Sequence, residues 1–307
     1  MRTEDRVAAV VINRDGRAHL KRCVERLQRA DPGCTSVVVV DDASSDGSAE
    51  AVRRWFPRVD VVASPQRVGP AGARNLGIDH AENRLDFAHY LFLDNDAFLE
   101  PGALGEMLAC AAAEPRVGIV APKAYASLRE GVLHLAGEIK VNLAASRVTA
   151  VGAGEPDAGQ YDSERDIQTC SGFAMLVRRT VVQSVGRFDE AFFPPAWEDV
   201  DYSLRVRRAG YRIRYAPSAV VEHVGGRLGR GLRAEREVAK LRNWLRLVRK
   251  HGTRLDKLAV LGTLPLRSVL LAGDRFRHRH EWMHARGIAE LFHTLRPGRR
   301  HGGTSGG

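Results

Sequence analysis

The sequence predicts an α/β fold: a Rossmann-like, mostly parallel central sheet, followed by a C-terminal helical extension. Three observations predict it. Short β-branched runs alternate with helical periodicities along the first hundred residues. Three of those runs end directly in Asn13, Asp41 and Asp94. Past residue 232 the pattern changes to a basic amphipathic helix. Strands that alternate with helices imply a parallel sheet with covered faces, and such sheets bind ligands at the carboxyl ends of their strands.

Val7 to Ile12 reads as the first strand, Asn13 to Gly16 as a polar turn, and Leu20, Val24 and Leu27 as the buried stripe of a helix. Val37 to Val40 is a second strand, closed by the acidic loop Asp41 to Ser48, with a helix Ala49 to Phe56 behind it. Asp60 to Ala63 follows as a strand, Gly69 to Asn75 as a glycine-bearing loop, and Ala71 to His80 as a helix. Tyr90 to Leu93 is a fourth strand and stops at Asp94-Asn95-Asp96. Residues 117–166 are irregular and glycine-rich in places, and read as loops bordering the site. Order returns with a strand Cys170 to Val177, a helix Arg179 to Val185 and a turn Gly186 to Glu190. A helix Val200 to Ala209 is closed by Gly210, and Tyr211 to Tyr215 and Ala219 to His223 read as two short strands.

With 44% hydrophobic and 27% charged residues, the 307-residue chain is neither disordered nor fibrous. Its formal charge of +10 is unevenly placed. Residues 227–307 hold 19 Lys and Arg against 6 Asp and Glu, a net +13, which leaves −3 for the first 226 residues. Cys23, Cys34, Cys110 and Cys170 form no CxxC pair, which argues against a zinc ribbon or a disulfide scaffold and suits a reducing cytosol. The first apolar run is too brief for a signal peptide, and no stretch reaches about 18 uninterrupted apolar residues, so a cytoplasmic location is expected.

Asp94-Asn95-Asp96 presents two carboxylates after a buried strand, a pattern that suits a hard divalent ion and equally suits a solvated turn. His223 also follows an apolar strand and precedes Gly225-Gly226; its imidazole would suit manganese if the fold brought it to Asp94 and Asp96. Glu198, Asp199 and Asp201 open a helix, where carboxylates cap the dipole as a matter of course. Yet Trp197 and Phe192 to Pro195 make an apolar surround able to raise a carboxylate toward a general base, and the residues alone leave cap and base both open. The segment Val68 to Asn75 could bring backbone amides and Arg74 close to a diphosphate, but it is neither GxGxxG nor a P-loop, which speaks against a dehydrogenase or an NTPase.

Taken in order, these motifs resemble the family 2 glycosyltransferases, the rhamnosyltransferase-like members in particular, from about Arg6 to Arg249. The resemblance rests on Val37 to Ser48, on Gly69 to Gly77, on Leu93-Asp94-Asn95-Asp96, on Ser171 to Arg179 and on Gly186 to Phe193. It continues through Glu198 to Asp201, Arg208 to Tyr211 and Pro217 to His223. Pro70 and Trp197 are positions that members vary, which bears on donor and acceptor identity rather than on reaction class.

The resemblance implies a glycosyltransferase A fold and a metal-dependent, inverting transfer of a sugar from a nucleotide diphosphate, dTDP- or UDP-linked, to an acceptor hydroxyl. A glycan or lipid-linked acceptor in cell-surface polysaccharide synthesis is implied with it. Asp41 would contact the nucleotide base with Asn13 and Arg74 nearby, and Asp42, Gly69, Asn75, Asp94 and Asn95 would complete the donor contacts. Asp94, Asp96 and His223 would hold Mn2+ or Mg2+, Asp96 being the more direct ligand. The base is expected in the acidic pair, Asp199 first with Glu198 as the alternative, while Asp201 orients the helix start or contacts acceptor.

The expected organisation is a catalytic domain at 1–232, a basic amphipathic helical extension at 233–295 and a disordered tail at 296–307. In the extension, Val238, Leu241, Trp244, Leu245 and Val248 follow helical spacing with Arg and Lys between them. Leu258 to Ala272 suits an interfacial helix pair, followed by the basic cluster Arg275 to His280. Two readings are open for this region: packing on the catalytic domain with a solvated basic face, or peripheral attraction to an anionic membrane. No aromatic-rich sheet or recognition motif accompanies the charge, so nucleic acid is not an expected partner. The rival for the chain as a whole is an inactive nucleotide-sugar fold that binds a membrane surface through its basic tail.

Overall fold

A computed structural model describes residues 6–30, 36–84, 86–225 and 233–262, with side chains in the last span described from Ala239 onward. The first half builds four parallel strands and their crossovers: β1 (Val7–Asn13), α1 (Arg17–Gln28), β2 (Ser36–Asp41), α2 (Ser48–Trp55), β3 (Asp60–Ala63), α3 (Gly69–Arg84) and β4 (His89–Asp94). β1 pairs in parallel with β2 on one side and β4 on the other, and every residue of β1 is buried. A strand covered on both faces needs apolar side chains pointing both ways, hence the unbroken run Val7 to Ile12. Its alternation divides the core: Val7, Ala9 and Val11 join the cluster under α1 and α4, while Ala8, Val10 and Ile12 join the cluster under α3 and α6.

The second half adds β5 (Ala97–Leu99), α4 (Ala103–Ala112), β6 (Val117–Ser127), β7 (Val132–Ala136), β8 (Ile139–Asn142), β9 (Arg147–Ala150) and β10 (Arg165–Asp166). It closes with β11 (Ala174–Arg178), α5 (Arg179–Val185), a 3-10 turn Glu190–Phe192, α6 (Glu198–Arg208), β12 (Arg212–His223) and α7 (Arg233–His251). The main path of the sheet is β10-β12-β6-β11-β4-β1-β2-β3. β11 is antiparallel to both of its neighbours, β4 and β6, and β12 is parallel to β6. The ends of β1, β2, β4 and β12 therefore share one edge with the start of β11. Asn13, Asp41, Asp94, His223 and the Ser171–Gly172 turn meet there although they are far apart in the chain.

Four expectations need correction. Residues 117–166 hold strands β6 to β10 instead of loops; Gly118, Pro122 and Lys123 interrupt β6 in sequence, yet its first eight residues are buried between β11 and β12. Gly69 to Asn75 is the first two turns of α3, not a loop. The strand expected from Cys170 begins at Ala174, leaving Ser171 and Gly172 in the turn before it. The two short strands expected at 211–215 and 219–223 are one strand, β12, whose register shifts between Ala216 and Val220.

α7 packs through Trp244, Leu245, Leu247 and Val248 on Phe192, Val200 and Val141. Asn243, fully buried, donates from its amide to the carbonyls of Phe192 (2.7 Å), Pro194 (2.8 Å) and Ala196 (3.3 Å). Residues 254–262 form a further helical segment. Most of the expected helix pair Leu258 to Ala272, the basic cluster Arg275 to His280 and the tail from residue 296 lie outside the described residues, as do Cys34 and Gly226. Cys23, Cys110 and Cys170 are buried thiols. No helix among the described residues is long and apolar enough to cross a membrane.

Candidate active site

Where β4 ends, the chain turns sharply through Asn95 and enters β5, which pairs antiparallel with the end of β12 so that His223 faces Ala97 across the ladder. That register is why an imidazole 127 positions from Asp96 reaches it: Nε2 of His223 lies 3.2 Å from Oδ1 of Asp96, and the Val224 amide donates to the Asp96 carbonyl at 3.2 Å. Ligand atoms of Asp94, Asp96 and His223 all lie within 4.8 Å of one another. Two carboxylates and one imidazole converging in this way fit a divalent cation of the manganese or magnesium type, the imidazole favouring the softer of the two. Burial opposes ionisation of Asp96, but the neighbouring His223 outweighs it, and the carboxyl is held below its ordinary value.

Beside this group lies Arg74, 2% exposed, reached from the first turns of α3. Its guanidinium donates to Asp94 (3.2 Å), to Glu198 (3.4 Å) and to the carbonyl of Gly172 (3.0 Å). Gly172 has to be glycine for this to happen, since a Cβ there would stand 2.6 Å from a guanidinium nitrogen. Arg74, expected near the donor, ties the Asp94 and Glu198 carboxylates together in this structure.

Glu198 and Asp199 open α6 behind Trp197, a non-glycine residue at φ +70°. Such a backbone is strained, and strain of this kind tends to sit where geometry matters. Burial raises the Glu198 carboxyl to about 7, with the neighbouring Asp199 adding to the rise and Arg74 opposing it. Asp199 is half-buried, and one of its oxygens accepts from the Gly172 amide at 2.9 Å and the Ser171 hydroxyl at 3.4 Å. Asp201 turns away: fully buried, it accepts from Arg205 (2.9 Å) and pairs with Lys250 (2.8 Å) and His251 (2.7 Å), so it anchors α7 to α6.

At the β1 and β2 ends, Asn13 donates to Asp41 (2.8 Å) and to Ser48 (2.8 Å) and accepts from Asn95 (2.6 Å), which links three strand ends. Asp42 accepts from the Val68 amide (2.6 Å) and the Gly69 amide (3.0 Å) and so fixes the start of α3. Gly69 takes φ +72°, and a Cβ on it would meet Phe193 at 2.5 Å. Asn75, expected among the donor contacts, bridges the backbone of Phe188 in both directions with its amide (3.0 Å each) and donates to the Glu190 carboxylate (2.7 Å). Two residues of weight here, His134 on β7 and Asn243 on α7, were not singled out from the sequence: neither carries a local pattern that would mark it, and only the strand register and the helix packing bring them in.

The sequence model for glycosyltransferase-like family 2 matches residues 5–243. The N-acetylglucosaminyl-diphospho-decaprenol L-rhamnosyltransferase of Mycobacterium tuberculosis is 28% identical over 225 residues, 67% of this chain and 71% of that protein. Among solved structures, the mannosyltransferase PcManGT from Pyrobaculum calidifontis, in complex with GDP-Man and Mn2+, superposes with a TM-score of 0.58 at 20% identity over 94% of this chain and 79% of the other. GalNAc-T7 with UDP, GalNAc and Mn2+ superposes with a TM-score of 0.61 at 15% identity over 80% of this chain, which spans 47% of it. The sheet and its flanking helices have the glycosyltransferase A fold that these structures share.

Proposed function

Because the chain belongs to glycosyltransferase-like family 2, we propose that it performs an inverting transfer of a sugar from a nucleotide diphosphate donor to an acceptor hydroxyl, with a divalent cation. The convergence of Asp94, Asp96 and His223 beside Arg74, Glu198 and Asp199 carries this reading. The acceptor oxygen attacks the anomeric carbon as the bond to the diphosphate breaks on the opposite side, and the acceptor proton passes to a carboxylate. Asp199 is the proposed base. It is the more accessible of the acidic pair, and the Gly172 amide and Ser171 hydroxyl set its orientation. Glu198, held by Arg74, keeps a second carboxylate behind it. A cation held by Asp96, Asp94 and His223 would supply neutralisation of the charge on the departing diphosphate. Asp41 and Asn13, already braced by Ser48 and Asn95, are the proposed nucleotide contacts.

The finer assignment follows the relatives. A deoxyhexose such as rhamnose and a lipid-linked saccharide acceptor are proposed from the N-acetylglucosaminyl-diphospho-decaprenol L-rhamnosyltransferase relative, and a dTDP- or UDP-linked donor from the motifs of the sequence. The proposed setting is the cytoplasmic face of a membrane, in cell-surface glycan synthesis. Donor binding and hydrolysis across a panel of nucleotide sugars, with manganese, magnesium or chelator, tests the reading. Metal-dependent binding of one donor is expected, weakened at least tenfold by Asp96→Ala; Asp199→Asn should still bind but lose about 100-fold or more in turnover. Absence of binding by every nucleotide sugar in every metal condition would overturn it.

A further inference from the structure

We propose that His134 is a positioning residue that holds the imidazole of His223 with Nε2 turned toward Asp96 and Asp94, so that all three ligands face one point. The proposal rests on the cation reading above and deepens it. An imidazole that binds a cation through Nε2 carries its proton on Nδ1, and that proton needs an acceptor. Nδ1 of His223 lies 3.1 Å from Nε2 of His134, and the two rings cross at 80° with centroids 4.5 Å apart. That is the arrangement of a hydrogen bond between rings, not of a stack.

Packing holds both rings. Phe173 stacks on His223 at 4.4 Å and 13°, and meets His134 edge-on at 5.3 Å and 88°. His134 sits on β7 between the buried Leu133 and Leu135, and β7 is fixed to β6 through Ala124 opposite Leu135. Without an acceptor at position 134, the His223 proton is better placed on Nε2, where Asp96 is 3.2 Å away and would accept it. Such a closed pair removes two ligands from the cation at once. The acceptor on β7 therefore keeps both available.

The test uses the full chain with manganese, alone and with UDP or dTDP. Free Mn2+ measured by electron paramagnetic resonance gives the affinity, and nitrogen modulation in the pulsed spectrum reports imidazole coordination. His134→Leu fills similar space without accepting a hydrogen bond. It should weaken Mn2+ binding about 10- to 100-fold and remove the nitrogen modulation, as His223→Ala does. His134→Gln, whose Oε1 accepts, should restore both. Circular dichroism establishes that each variant is folded, and His134→Met is the second apolar replacement should His134→Leu not fold. Equal losses in the Gln and the apolar variants would reduce His134 to packing and overturn the proposal. Native affinity in His134→Leu, with binding abolished in Asp96→Ala, would overturn it while leaving the cation site intact. No Mn2+ binding by the native chain would overturn both.

Discussion

Glu198 sits behind a strained Trp197, against Asp199 and within 3.4 Å of Arg74. Burial, with Asp199 adding to it, lifts its carboxyl from 4.5 to about 7, so the folded protein binds this proton more tightly than the unfolded chain does. The stability contributed by the group therefore falls as pH rises from about 4.5 to about 7 and is level above that, at about 1.4 kcal/mol per pH unit inside the window. Chemical unfolding of native protein and Glu198→Gln at pH 5 and pH 8 reads this directly. The variant should lose the slope, and an unchanged difference between the two proteins at both pH values would remove Glu198 as its source. At this scale the acidic residues were legible because each closes a strand or opens a helix. His134 was not, since a histidine between two leucines on a strand looks like any half-buried residue. Arg74 was legible as a candidate but its partners were not, because the carbonyl and carboxylates that hold it come from Gly172, Asp94 and Glu198, 98, 20 and 124 positions away.

At the scale of elements, α7 holds the segment that leads into the acidic pair. Asn243 occupies three carbonyls of that segment, the Trp197 indole donates to the Lys240 carbonyl at 3.2 Å, and Arg242 donates to the Phe193 carbonyl at 2.5 Å. Asn243→Ala removes the donor from the buried Phe192 carbonyl and from the part-buried carbonyls of Pro194 and Ala196, and a loss of about 1–3 kcal/mol is expected in denaturant unfolding. A loss below about 0.5 kcal/mol would mean that the apolar contacts of Trp244 and Leu247 hold the segment alone. Elements differ in how far sequence betrays them. β1, β2 and β4 are covered on both faces and so consist of uninterrupted apolar runs. In the second half the cues fail for different reasons: β8 and β9 form a two-stranded ribbon exposed apart from Val141 and a few half-buried residues, β6 carries Gly, Pro and Lys within a buried strand, and the register of β12 shifts between Ala216 and Val220. At the head of α3, Gly69, Pro70 and Gly72 read as a loop because the Asp42 carboxylate that fixes the helix start is distant in sequence.

For the whole molecule, the separation of charge matters most: −3 over the first 226 residues and +13 beyond them. On the helix that opens at 254, Leu255, Leu258 and Leu261 are 77%, 65% and 48% exposed, alongside the exposed Arg254 and Lys257. Proposed peripheral contact with an anionic bilayer combines these two features, each basic residue near the surface contributing about 1 kcal/mol. The full chain is expected to sediment with vesicles containing phosphatidylglycerol but not with pure phosphatidylcholine, and to be released by salt. Replacing the three leucines with serine should reduce the bound fraction severalfold. Equal sedimentation with both lipids, or none with either, would dismiss the electrostatic account.

The antiparallel insertion of β11 also has a consequence for the order in which the protein is made. β1 to β4 form a parallel half-sheet from residues 7–94, complete in the chain before β11 is made. The free side of β4, with Tyr90, Leu91, Phe92 and Leu93, then waits some eighty residues for Ala174 to Arg178. Throughout that interval the nascent chain carries a bare apolar edge, the kind of surface on which strands of other chains add. Any fragment ending between Asp94 and Ala174 keeps that edge permanently, so shortened versions of this protein should be drawn from beyond β11.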